Sequence, residues 1–128
     1  MSVVIEVPIS VGELIDKITI LEIKVAGFAR AEQRANVATE LAFLRAVTAR
    51  NGLESDTRLA ELKKALKSIN ESLWVIEEQI RGCEQAGQFG SRFIELARSV
   101  YRANDERARI KRQINLASDS ALIEEKSY

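Results

Sequence analysis

LAELKKALKSINESLWVIEEQIRGC, residues 59–83, decides how this chain is read. Leu59, Leu62, Leu66, Ile69, Leu73, Ile76, Ile80 and Cys83 follow one another at alternating spacings of three and four. That spacing is a heptad seam on one face of a helix, and a strand period of two cannot produce it. Asp56 can cap this helix, which the pattern runs from about 57 to 84. At 1.5 Å per residue such a helix is roughly 40 Å long, well beyond the mean of globular proteins. Trp74 lies off the seam, suited either to packing on another helix or to marking a contact surface.

Working back from it, Asn51-Gly52 is a stop signal that ends a helix over 31–49. Its apolar side reads as Ala35, Ala38, Leu41, Leu44 and Val47, thin and alanine-rich. Earlier still, Ser10 and Glu13 form a capping box at the start of a first helix, with Ile9 and Leu14 as its hydrophobic staple. Val11, Leu14, Ile18, Leu21, Val25 and Phe28 then repeat at helical spacing, and the helix ends near Gly27. Ile15, Ile20 and Ile23 widen the stripe, so the helix is expected to be covered on more than one side. Residues 3–7 are β-branched apolar side chains around one glutamate, suited to an extended segment that Pro8 keeps out of the helix. It either runs along a groove or pairs with a second copy, and the sequence leaves both open.

Forward from the seam, Phe89, Phe93, Leu96, Val100, Ala103, Ile110 and Ile114 mark a fourth helix reaching about 116, with Arg107 where a leucine is expected. The segment 118–128 reads as a loose tail, with a short turn at Ala121-Leu122-Ile123. The expected fold is therefore all-α: one domain, 1–128, an antiparallel bundle of about four helices with a long third helix and a short extended N-terminal segment.

Composition narrows function mainly by exclusion. The chain has 128 residues, with 19 basic and 19 acidic side chains that cancel. Balance gives no long-range pull toward nucleic acid or an acidic membrane surface. Arg102, Arg107, Arg109, Lys111 and Arg112 surround their helix instead of forming one face, so neither nucleic acid nor membrane is expected as a partner. Histidine is absent, which removes the usual neutral-pH base and the commonest metal ligand. The lone Cys83 fits a cytoplasmic setting and a buried apolar position better than a nucleophile. No secretory signal, metal site or cofactor motif is read.

Polar residues beside the seams carry what functional signal there is. Lys17 and Lys24 lie on one shoulder of the first helix and Glu22 on the other; Asn70 and Glu77 share a shoulder of the third; Asn104, Arg107 and Lys111 form a stripe on the fourth. Such groups commonly set helix register. If the three helices share a core, the same eight residues could instead line an interhelical pocket for a small anion, a phosphorylated sugar or a carboxylate. An enzyme working by charge placement alone, as chorismate mutases do, would clamp carboxylates with Lys24, Arg107 and Lys111 and orient a hydroxyl with Glu77. The sequence names no catalytic residue and leaves open whether this is an enzyme.

Two runs, ISVGELIDKITILEIK at 9–24 and YRANDERA at 101–108 followed by KRQIN at 111–115, together with the ending EEKSY at 124–128, resemble the signatures of an uncharacterised bacterial family, a domain of unknown function. The resemblance implies no established activity. It does imply a neighbourhood of cell-surface polysaccharide genes and a glycosyltransferase-type protein partner, and a tail that folds back over the bundle. The leading expectation is a non-enzymatic, self-associating helical module or accessory protein, most simply a homodimer.

Overall fold

The computed structural model describes residues 2–128 and is helical throughout its ordered elements. Helix α1 spans Val11–Gly27, α2 Ala31–Arg50, α3 Thr57–Ala86 and α4 Ser91–Ala117, with a single 3-10 turn at Leu53–Ser55. Residues 2–10 carry no helix or strand and 118–128 are irregular, so Ala121-Leu122-Ile123 adds no helical turn.

The starts and stops have local causes. Ser10 Oγ accepts from the Glu13 amide at 3.1 Å, the N-cap half of the expected box. Asp56 accepts from the amides of Arg58 and Leu59 and caps α3. Gly87, at φ +66°, closes α3 in the left-handed conformation that a side chain would strain. Gly90 precedes α4, so Phe89 lies in the loop and not in the helix where its spacing suggested. It still packs edge-to-face on Phe93, ring centres 5.3 Å apart.

Helix α1, not the longer α3, is the centre of the molecule. It packs against α2, α3 and α4, whereas among the described residues α2 packs against α1 and the 3-10 turn alone. One face of α1, Leu14, Ile18 and Leu21, meets Val37 and Leu41 of α2. A neighbouring face, through Ile15, joins Leu59 and Leu66 of α3 and Ile110 and Ile114 of α4. On α2 the buried side is set by Val37, Leu41 and Thr48, and Ala35 and Ala38 face solvent. The larger side chains fixed the rotation because burying them gains more than burying alanine.

Helices α1 and α3 run in the same direction. Glu22 meets Lys63 at 3.1 Å, and Phe28, just past α1, packs at a tilt against Trp74 of α3 with ring centres 5.9 Å apart. Trp74 therefore packs against the end of α1, and its indole N–H donates to Glu78 at 2.9 Å. Beyond that contact α3 and α4 continue as a projecting pair. With 17 residues, α1 is about 26 Å long against about 45 Å for the 30 residues of α3.

Candidate functional site

Asp16 is wholly buried, an expensive place for a carboxylate unless every lone pair is met. Its Oδ1 accepts from Asn70 Nδ2 at 2.8 Å and from Arg107 Nε at 3.0 Å. Its Oδ2 accepts a close bond from Arg107 Nη2. The guanidinium thus grips the carboxylate with two donors, the planar fork that suits such pairs. That hydrogen bonding raises the Arg107 pKa above its ordinary value, burial acting in the opposite direction. Arg107 Nη1 reaches Asn104 Oδ1 at 3.4 Å.

The neighbouring polar groups are also satisfied. Thr19, fully buried, donates to the Asp16 carbonyl at 2.8 Å and accepts from Asn70 Nδ2 at 3.0 Å. Lys111 Nζ sits between Glu13 at 2.6 Å, Glu124 at 3.4 Å and Asp16 at 3.9 Å. Glu124 is held below its usual range first by Lys126, at 2.8 Å, and then by Lys111, against partial burial. Arg112 holds Glu125 at 3.2 Å. The tail accordingly folds back over α4, as the likeness of its ending implied.

The first turn of α1 is fastened to the end of α4 as well. The Gly12 amide donates to Asn115 Oδ1 at 2.7 Å and the Val11 amide to Ser120 Oγ at 3.1 Å. Two amides that would otherwise be orphaned at the helix N-terminus are met by residues more than a hundred positions away. Gly12 is needed for this approach: a Cβ there would lie 2.6 Å from the Lys111 carbonyl oxygen.

A second, more open cluster surrounds Glu22. Arg45, Lys63 and Lys67 approach it at 2.8, 3.1 and 3.4 Å. Burial opposes its charge, yet the three cations together hold its pKa below the ordinary 4.5. Beside it a cleft of about 270 Å³ separates α2 from α3, floored by Ile15 and Ile18 and rimmed by Arg45 and Lys63.

Of the eight residues singled out from the sequence, Asn70, Asn104, Arg107 and Lys111 come together. Glu22 belongs to the other cluster, and Lys17 pairs at 3.9 Å with Glu40 on the exposed side of α2. The side chains of Lys24 and Glu77 join neither group among the described residues, Glu77 being exposed. Asp16, Thr19, Gly12 and Asn115 were missed. For three of them a signal was present: on a helix expected to be covered on more than one side, Gly12, Asp16 and Thr19 share one stripe.

Chemically the Asp16 cluster is closed. Both carboxylate oxygens accept charged or amide donors, the Arg107 fork is turned inward, and Lys111 is ringed by acids. That arrangement locks the register of α1 against α3 and α4. Among the described residues no three acidic, histidine or cysteine side chains gather as a metal site requires.

No curated protein and no solved structure matches the chain. One family model does, over residues 5–128, and the chain belongs to that family, the family of unknown function DUF6165.

Proposed function

We propose that this chain is a non-enzymatic helical module that works by associating with a second copy of itself. One observation carries the reading. Its accessible surface is 8738 Å². A folded monomer of its 14.3 kDa mass exposes about 6,800 Å². The surplus, about 1,900 Å² per chain, is of the size that a stable homodimer removes from each partner.

Large apolar side chains stand on that surface. Val3, Val4, Ile5 and Val7 are 62–83% exposed, and Val75, Phe89 and Ile94 are at least half exposed. Meanwhile the charged residues most suggestive of a site neutralise one another inside the body. An accessory role beside a glycosyltransferase-type partner of cell-surface polysaccharide assembly, the setting suggested by the signature runs, would use the same surface.

Sedimentation equilibrium of the full chain tests the proposal. The expected result is a reversible dimer of twice the chain mass at micromolar concentration. A single species of 14.3 kDa persisting to high micromolar concentration would rule it out.

A second reading rests on the cleft beside Glu22, where Arg45 and Lys63 rim an apolar floor. It would take a small anion with an apolar body, such as a carboxylate or phosphate ester. Titration calorimetry with pyrophosphate and with an aromatic carboxylate checks this, and heats no larger than dilution for both would dismiss it.

A further inference from the structure

The seam between α3 and α4 changes character along its length. In the body Leu66, Ile110 and Ile114 are at most 7% exposed. Past Trp74 the same seam continues through Ile76 and Ile80 on α3 and Phe93, Leu96 and Val100 on α4, all of them only half-buried, before it ends at the buried Cys83. Side chains of the same kind, at the same spacing, lack a third helix to cover them. Outside the seam, Val75 and Ile94 are exposed by 50% and 55%.

Charge divides between the two helices of this projecting end. From 74 to 86, α3 carries Glu77, Glu78 and Glu84 against Arg81, a net charge of −2. From 91 to 103, α4 carries Arg92, Arg98 and Arg102 against Glu95, a net charge of +2. These opposite charges do not satisfy each other within the chain. Among the described residues the ion pairs of this end are Glu95–Arg98 and Glu95–Arg102, both inside α4.

We infer that the projecting ends of α3 and α4 are where a second copy docks, each α3 lying against the partner's α4 in a two-fold, four-helix arrangement. This rests on the self-association proposed above and names its surface. A two-fold axis makes the contact self-complementary, so one patch must carry both signs of charge. The end of this hairpin does. Packing two hairpins also supplies the missing cover for the half-buried seam, as in bundles whose helices pack at shallow angles. Acid facing base across the interface fixes which helix neighbours which.

The test uses two charge-inverted forms of the full chain: one with Glu77→Arg and Glu84→Arg, the other with Arg92→Glu and Arg102→Glu. In the first both helix ends become positive, in the second both negative. Each alone is expected to sediment as a monomer, its self-association weakened roughly 100-fold or more by like charge. A one-to-one mixture is expected to recover the dimer, because each α3 then meets an α4 of opposite sign. Circular dichroism of each form checks its helicity. Ile94→Arg, an exposed position that leaves the charges of α3 intact, is expected to give a helical monomer. If the native chain dimerises and all these variants remain dimeric, the hairpin is not the interface although self-association stands. If the dimer is lost only on deleting residues 2–9, the apolar N-terminal segment is the contact and this inference falls. If the native chain is a monomer at high micromolar concentration, both readings fall together.

Discussion

The two ends of the long α3–α4 pair are built from similar residues and do opposite things. In the body, α1 lies between α2 and the pair, and the interior accepts buried polar residues, Asp16, Asn70 and Lys111 among them. At the projecting end no third helix covers the pair among the described residues, and apolar side chains stand half-exposed beside charges that do not pair between the two helices. Polarity is inside where the fold is complete, and apolarity is outside where it is not. The difference lies in the lengths of the helices, because α1 stops at Gly27 while α3 runs on to Ala86.

The largest expected effect breaks the body. Asp16→Ala would leave Arg107, Asn70 and Lys111 facing an empty place, and removing one partner of a buried pair costs about 3–5 kcal/mol. Urea unfolding measures this. Asp16→Leu combined with Arg107→Met should recover much of the loss, because the desolvation cost disappears with the pair. A double replacement no better than the single one would mean that the network does more than neutralise a carboxylate.

Next is the close approach of α1 to α4. Gly12→Ala puts a methyl group 2.6 Å from the Lys111 carbonyl oxygen, so the helices must separate or lose the Asn115 bond. Overpacking of this kind costs about 1–3 kcal/mol. Thermal unfolding unchanged by the replacement would contradict the geometry at that contact.

A smaller effect is expected at the Glu22 cluster, where solvent weakens every pair. Its pKa is lowered in the folded chain, so its contribution is fully present above the ordinary 4.5 and is lost as pH falls through the lower folded value. Glu22→Gln should therefore cost about 1 kcal/mol or less at neutral pH and flatten the loss of stability below about pH 4.5. The comparison is between acid titrations of the two proteins followed by circular dichroism.

Smallest of all should be Ile94→Ser on the stability of the isolated protomer, within about 0.5 kcal/mol, as for other surface positions. Its effect should instead be on association. A large loss of stability at concentrations where the chain is monomeric would place Ile94 in the core of a single chain, against its exposure.

The helices themselves were legible because heptad spacing, Ser10, Asp56 and Asn51-Gly52 all act locally. Two boundaries moved for reasons equally local: Gly90 starts α4 after Phe89, and α3 continues through Ala86 to the left-handed Gly87. Less legible was the rotation of α2, where alanines dilute the period and Val37 decides. Least legible was the centre of the site. Arg107 stood out as a charge in a leucine position, but Asp16 sits in an ordinary-looking helix and acquires meaning only when Asn70, Arg107 and Lys111, 54 to 95 residues away, close around it. The division between a covered and an uncovered length of seam was equally invisible, since it depends on where α1 ends against Trp74. The heptad pattern runs unbroken through 59–83 and marks no such division, whereas the half-buried length lies past Trp74 and is shared with α4.

Hydrogen exchange followed at low and at high micromolar protein concentration tests the contrast most directly. The account predicts that amides of α1 exchange slowly at both concentrations, while those of residues 75–86 and 91–102 become slower as concentration rises. Exchange of the hairpin end that is independent of concentration, or α1 amides that exchange as fast as that end, would contradict it.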